Sequence, residues 1–151
     1  MRYYPVFLDL TGRRCIVIGG GVVAERRVDG LLAAGAHVTV VSPEISEGLR
    51  RLILQSSLEH LARKYERGDL AGFAIAFVAT DDGTVNAAVF DEARTRGIWV
   101  NCADDPSHCD FISPAVIRRS TRGCHILGRR EPGGHSCHSR RARKPSYRRL
   151  C

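Results

Sequence analysis

A glycine-rich turn carries the first residues whose spacing suggests chemistry. The stretch from Gly19 to Ala24 reads GGGVVA, follows an apolar strand-like run, and opens a segment with helical spacing. In this setting Gly19 permits a tight turn, Gly21 lets the backbone approach a pyrophosphate, and Ala24 lets helix and strand pack closely. The N–H groups of Val22 and Val23 would then face the phosphates. The pattern predicts a dinucleotide site; a glycine turn without a ligand is the alternative.

The end of the next strand-like run bears on which dinucleotide would bind. Many such sites have an acidic residue there that holds the ribose hydroxyls. Here the run ends in Ser42, Pro43 and Glu44, so Ser42 is a candidate hydrogen-bonding group and Glu44 lies two residues later. We find no arginine suited to a 2′-phosphate, which favours NAD over NADP.

Polar residues also follow two other strand-like runs, at Thr80–Asp82 and at Asn101, Asp104 and Asp105. In a parallel sheet, ligands bind beyond the carboxyl ends of the strands, so these groups are expected near the same crevice. The first pair of aspartates could equally cap the helix that follows. Because Asp104 and Asp105 are adjacent, only one of them can readily face a ligand. Alternatively, both only cap or solvate the loop before Pro106.

The order of elements that must position these residues is strand, helix, strand, helix, strand, strand, helix, strand. Such alternation predicts an α/β fold, a Rossmann-like doubly wound parallel sheet with right-handed crossovers. The run FAIAFVA is the most apolar, as expected for a strand buried on both faces. The length of 151 residues suits one domain, or one domain with a fragment of a second.

The charge distribution separates the body of the chain from its tail. Residues 1–123 carry 15 Lys and Arg against 15 Asp and Glu, so residues 124–151 hold the whole net charge of +7. We see no signal peptide in the sequence, and its apolar runs are too short to span a membrane. We therefore expect a cytoplasmic protein whose six cysteines are reduced thiols.

Three stretches together carry a family resemblance: residues 3–43, the segment ATDDGTVN, and the segment VNCADDPSHCDFISPAVIRRS. Their order and spacing over roughly residues 3–122 closely resemble the precorrin-2 dehydrogenase / sirohydrochlorin ferrochelatase family, the first module of siroheme synthase. The resemblance implies oxidation of the tetrapyrrole precorrin-2 to sirohydrochlorin with NAD, and in many members insertion of Fe²⁺ to give siroheme. It also implies a homodimer in the complete family form.

The same resemblance assigns residues to roles. The family's catalytic aspartate corresponds to Asp104, and its NAD contacts correspond to the glycine turn with Val22 and Val23 and to the segment Ser42, Pro43 and Glu44. Removing a proton from the macrocycle is work that a carboxylate can do, and the cofactor takes the hydride. The rival class is a non-catalytic NAD-sensing module. We predict no resident metal, because His108 and Cys109 have no second cluster of ligands beside them. The resemblance implies that iron is a substrate and not a fixed centre.

The tail departs from the family pattern after Gly123. We assign residues 1–113 to the NAD-binding domain, 114–123 to the start of a dimerisation region, and 124–151 to an irregular, disordered basic tail. The tail lacks the interleaved aromatic residues of a nucleic-acid-binding arm, and it lacks the paired ligand spacing of a zinc site. Out-of-frame translation is therefore the favoured origin of the tail. We expect no nucleic-acid partner. The segment FISPAVI would then lose its partner strand, and the chain would be an inactive or weakly active remnant.

Overall fold

The computed structural model describes residues 4–103 and 105–113, together with the backbone of residues 115–118 and 124–127. Contacts between residues divide the chain into two compact units, Met1–Ser113 and Pro114–Cys151. The boundary falls between Ser113 and Pro114. The assignment of residues 114–123 to a dimerisation region stays a prediction.

The first unit is built on a sheet of five strands that are all parallel. In chain order they are β1 (Arg14–Ile18), β2 (His37–Val41), β3 (Glu59–Leu61), β4 (Ile75–Val78) and β5 (Trp99–Cys102). Their spatial order is β3-β2-β1-β4-β5. The chain thus adds β2 and β3 on one side of β1 and then β4 and β5 on the other, which makes the space between β1 and β4 the switch point of the sheet. A ligand crevice is expected at such a switch point.

Three helices cover the sheet, and a short 3₁₀ helix follows β5. They are α1 (Val22–Ala33), α2 (Glu47–Gln55), α3 (Gly83–Arg96) and the 3₁₀ helix Pro106–His108. Buried residues of α1 and α2 belong to one core cluster, and those of α3 belong to another. The predicted Rossmann-like, doubly wound α/β fold is therefore confirmed.

The alternation of side chains along the strands explains the two clusters. Cys15 and Val17 of β1 pack into the first cluster, whereas Ile16 and Ile18 pack into the second. Since successive side chains of a strand point to opposite faces, a fully buried strand needs an apolar residue at every position. Trp99 opens β5 and is half exposed at 50%.

Two element boundaries differ from the sequence-based expectation. The sequence alone predicts a weak third strand within LARKYERGDLAG, residues 61–72, whereas β3 begins at Glu59. Its place is fixed by pairing with Thr39–Val41 of β2, where the Thr39 hydroxyl donates to Glu59 Oε2 at 2.9 Å. The helical spacing of apolar residues in EISEGLRRLILQ predicts a helix that includes Ile45, whereas α2 begins at Glu47 because Ser46 is its N-cap.

The second unit contains a pair of antiparallel strands, β6 (Ala115–Arg118) and β7 (Cys124–Leu127). The expectation that the segment containing β6 lacks a partner strand is therefore wrong. The first four residues of the predicted irregular tail supply that partner, and they include Ile126, a β-branched type that is enriched in strands. The rest of the predicted tail, residues 128–151, lies outside the described residues.

Candidate functional site

A cleft of about 630 Å³ lies at the carboxyl ends of β1, β2 and β4, at the switch point of the sheet. Its lining comes from the glycine turn, the segment after β2 and the segment after β4. All seven residues predicted to contact the cofactor line it: Gly19, Gly21, Val22, Val23, Ser42, Pro43 and Glu44. Their part in binding stays a prediction.

Gly19 is required by the backbone at the end of β1. Its φ of +117° lies in a region that side chains disfavour, and a Cβ there would stand 2.1 Å from the carbonyl oxygen of Ala79. The turn therefore passes directly against the end of β4. Gly21 differs, because a Cβ built on it would meet no atom within 4 Å. Space for a ligand is open on that side.

Gly20 is a site residue that the sequence interpretation missed. A Cβ on Gly20 would lie 1.9 Å from the carbonyl oxygen of Glu44 and 2.7 Å from the hydroxyl oxygen of Ser42. The glycine turn and the segment after β2 are therefore in direct backbone contact. The run of three consecutive glycines was the available signal, because the dinucleotide pattern itself needs only the outer two.

The amino end of α1 faces this cleft without a side-chain cap. Gly21 occupies the N-cap position and has no side chain that could accept from the N–H groups of α1, whereas the side chains of Ser46 and Asp82 cap α2 and α3. The first turn of α1 thus leaves N–H groups without intrahelical partners, and these attract anions. Val22 and Val23, exposed at 59% and 43%, flank this opening. These observations fit the diphosphate of a dinucleotide.

The segment after β2 is ordered by its own hydrogen bonds. The Ser42 hydroxyl donates to the carbonyl of Glu44 at 2.6 Å, and the ring of His60 bonds the carbonyl of Ser42 at 2.9 Å. Because the one hydroxyl hydrogen is used in the bond to Glu44, the Ser42 oxygen could only accept from a ligand, and Ser42 is 8% exposed. The exposed polar group at this strand end is Glu44.

The two aspartates after β4 have different positions. Asp82 accepts hydrogen bonds from the backbone N–H groups of Thr84 and Val85 at 2.9 and 3.3 Å, which makes it the N-cap of α3. Asp81 is exposed and lines the cleft. Capping and facing a ligand were alternatives for both residues: Asp82 caps α3, and ligand contact by Asp81 stays a prediction.

The loop after β5 contains the predicted catalytic residue Asp104, which lies outside the described residues. Its neighbour Asp105 is held within the loop, because its carboxylate accepts from the hydroxyl and N–H of Ser107 and contacts His108 Nδ1 at 2.5 Å. Hydrogen bonds from Ser107, and then from His108, lower the pKa of Asp105 to about 2. This carboxylate therefore stays ionised, and its oxygens are engaged in hydrogen bonds within the loop.

Cys109 anchors the same loop to β5. The N–H of Cys102 donates to Cys109 Sγ at 3.1 Å, and the Cys109 thiol lies 3.2 Å from the carbonyl of Asp105. Burial raises the pKa of the Cys109 thiol, so it acts as a neutral packing and hydrogen-bonding group. Among the described residues, no cluster of three or more His, Cys, Asp or Glu side chains is arranged to hold a metal ion.

The fold, the switch-point cleft and the uncapped helix define an NAD(P)-binding domain. Residues 6–115 match the family model described as "Putative NAD(P)-binding", and the chain belongs to that family. It is 47% identical over 120 residues to a siroheme synthase of Chromobacterium violaceum, and 45% identical over 120 residues to that of Pseudomonas aeruginosa. Each alignment covers 80% of this chain and 26% of the relative, so the chain spans about a quarter of their length.

A solved structure shows the same similarity. The chain superposes on SirC, a precorrin-2 dehydrogenase, with a TM-score of 0.72 and 33% sequence identity. The match covers 83% of this chain and 61% of SirC. Within the part of the chain that the structure describes, no helix is both long and apolar enough to cross a membrane.

Proposed function

We propose that this chain supplies the NAD-binding part of a precorrin-2 dehydrogenase, which oxidises precorrin-2 to sirohydrochlorin during siroheme synthesis. The observation that carries the proposal is the cleft at the switch point of the sheet. The glycine turn and the end of β2 line it together in a chain that is similar to SirC and to siroheme synthases.

The lining of the cleft favours NAD over NADP. No Arg or Lys belongs to the described lining, and Glu44 stands exposed at the end of β2. A carboxylate there suits ribose hydroxyls and repels a 2′-phosphate. The free N–H groups at the start of α1 would hold the diphosphate, and the open side of Gly21 would admit it. Bound NAD⁺ supplies the hydride acceptor for the oxidation.

We assign the proton transfer to Asp104. The oxidation also removes a proton from the macrocycle, and a carboxylate in hydrogen-bond reach can accept it. Of the two adjacent acids, Asp105 already has its carboxylate engaged by Ser107 and His108. Its neighbour is therefore the better candidate for a base that faces substrate.

Insertion of Fe²⁺ into sirohydrochlorin is a second candidate activity, favoured by the name siroheme synthase that the relatives carry. Iron is then a substrate, and the carboxylate of Asp104 would take up the displaced pyrrole protons. A homodimeric, cytoplasmic enzyme completes the proposal. Cys15, Cys102 and Cys109 are thiols in the described residues, which suits a reducing compartment.

The test compares Asp104→Asn with Asp91→Asn, an exposed acid on α3. Both are made in this chain, and in a chimera whose first 122 residues replace the matching segment of the C. violaceum siroheme synthase. NADH formed from NAD⁺ and precorrin-2 is followed by absorbance under anaerobic conditions, and NAD⁺ affinity is measured separately.

We expect turnover by the chimera to fall by about 100-fold or more in Asp104→Asn, with unchanged NAD⁺ affinity and an inert Asp91→Asn. The 151-residue chain itself is expected to bind NAD⁺ and to turn over weakly or not at all. Full turnover by the Asp104→Asn chimera would overturn the role of Asp104. A chain that does not bind NAD⁺ would overturn the proposed function.

A further inference from the structure

The side chain of Glu25 connects α1 to the start of α2. Glu25 lies in the first turn of α1, and its Oε2 accepts a hydrogen bond from the Ser46 hydroxyl at 2.7 Å. Ser46 is the N-cap of α2, and its oxygen accepts from the N–H of Leu49 at 3.1 Å. One serine hydroxyl therefore caps α2 and binds Glu25 at the same time.

Gly48 leaves the room that the carboxylate of Glu25 occupies. A Cβ built on Gly48 would lie between 2.0 and 2.2 Å from the carboxylate atoms of Glu25. The carboxylate thus lies against the first turn of α2, where the helix dipole favours a negative charge. No side chain could be added at Gly48 without moving Glu25.

The same serine continues the connection to the glycine turn. The N–H of Ser46 donates to the carbonyl of Gly20 at 2.8 Å. Glu25, Ser46 and Gly20 therefore form a continuous chain of contacts between the two walls of the cleft. Glu25 itself does not belong to the described lining of the cleft, whereas Ser46 and Gly20 do.

This arrangement explains how an acidic residue, Glu25, is tolerated near a helix end that is proposed to bind an anion. A carboxylate in the first turn of α1 stands close to the helix end that we expect to bind a diphosphate, and like charges repel. Its hydrogen bond with Ser46 and its contact with Gly48 direct the charge toward α2 instead.

We propose that Glu25 is a positioning residue of the cofactor cleft: acting through Ser46, it holds the segment Ser42–Ser46 against the glycine turn in the conformation that binds the adenosine half of the dinucleotide. This inference rests on the proposed NAD-binding function. Glu25 affects the cofactor without contacting it, and its effect is confined to the half of the cofactor that reaches the end of β2.

The experiment measures binding of NAD⁺, ADP-ribose and reduced nicotinamide mononucleotide to the full chain and to variants. The variants are Glu25→Ala, Glu25→Gln, Gly48→Ala and the double variant Glu25→Ala/Gly48→Ala. Glu47→Ala is the matched control, because it removes an exposed acid from the same first turn of α2. Thermal unfolding of each variant is recorded in parallel.

We expect Glu25→Ala to weaken NAD⁺ and ADP-ribose by about tenfold and to leave the mononucleotide unchanged. Glu25→Gln keeps an acceptor for Ser46 and should recover most of the affinity. Gly48→Ala should weaken binding in the wild-type background but have no effect in Glu25→Ala, since the clashing carboxylate is then gone. Glu47→Ala should behave as wild type.

Two results would overturn the inference alone: equal affinities of Glu25→Ala and wild type, or a loss that is the same for ADP-ribose and the mononucleotide. Equal affinities together with a lowered unfolding temperature would mean that Glu25 has a structural role only. A wild-type chain that binds neither NAD⁺ nor ADP-ribose would overturn the proposed function, and the inference with it.

Discussion

The three consecutive glycines of the turn differ in what a side chain at each position would meet. Gly19 needs a positive φ and close contact with Ala79, and Gly20 needs contact with the carbonyl of Glu44. Gly21 needs neither, because its φ is −79° and its Cβ position is empty. The fold therefore excludes a side chain at the first two positions, whereas at the third only the proposed ligand would exclude one.

This difference predicts opposite effects of adding one methyl group. Gly21→Ala should change the free energy of unfolding by less than about 1 kcal/mol but weaken NAD⁺ binding, since the methyl group would fill the ligand space. Gly19→Ala should lower the free energy of unfolding by about 3 kcal/mol or more. Denaturant unfolding and NAD⁺ titration measure both effects. Normal NAD⁺ affinity in Gly21→Ala would contradict the assigned ligand position.

Asp105 predicts how the loop after β5 responds to acid. Its pKa falls from 3.8 to about 2 on folding, because Ser107 and His108 bond the ionised form. A pKa depressed by folding contributes stability that is present above the unfolded value and lost as pH falls toward the folded value. We expect the unfolding temperature of wild type to exceed that of Asp105→Asn at neutral pH.

The difference between the two proteins should then shrink as the pH falls from about 4 to 2. Thermal unfolding of both at matched ionic strength measures it. A difference that is constant over this range would show that the carboxylate charge contributes nothing, and that the side chain acts only through its shape.

At the scale of elements, the amino ends of the three helices differ in whether a side chain caps them. Asp82 caps α3 and Ser46 caps α2, whereas the amino end of α1 has no side-chain cap. A buried or half-buried helix end needs partners for its N–H groups. The end without a cap is the one that opens into the cleft.

The aspartates after β4 test this distinction. Asp82→Ala should lower the free energy of unfolding by about 1 kcal/mol, because α3 loses its N-cap. Asp81→Ala should change it by less than about 0.5 kcal/mol, since Asp81 is exposed and caps nothing in the described structure. Chemical denaturation of both single variants decides between them. A larger loss in Asp81→Ala would reverse the two roles.

A buried acid fastens the segment after β3 to α3. Glu92 is 2% exposed, and it accepts hydrogen bonds from Tyr65 at 2.5 Å, from the N–H of Gly68 at 2.8 Å and from Arg96 at 2.6 Å. Burial raises the pKa of Glu92, but these three hydrogen bonds outweigh it and the net pKa is lowered. The carboxylate therefore remains ionised inside the unit.

The sequence was sufficient to predict the elements that have a strong local pattern. The glycine turn, α1 and the buried strand β4 follow from local pattern, because apolar periodicity and glycine placement are local properties. Strand β3 was misplaced because its three residues are fixed by pairing with β2 and not by their own hydrophobicity. The Glu25–Ser46 contact spans 21 residues, and no local pattern indicates it.

At the scale of the whole molecule, the proposed cofactor should stabilise the unit Met1–Ser113, since it binds only the folded cleft. Ligand at about 100 times its dissociation constant should add about 2.7 kcal/mol to the free energy of unfolding. We expect NAD⁺ to raise the unfolding temperature and NADP⁺ to raise it less at equal concentration. Thermal unfolding with each nucleotide measures this. An equal shift with both would contradict the preference assigned to Glu44.

The position of Trp99 gives the molecule an internal optical reporter. It is the sole tryptophan in the sequence, and it opens β5 at the end of the sheet opposite the cleft. The four residues of β5 put about 10 Å between its two ends. Indole emission overlaps the absorption of reduced nicotinamide but not of oxidised nicotinamide. Quenching of Trp99 would therefore distinguish NADH from NAD⁺ on a single donor, without any label.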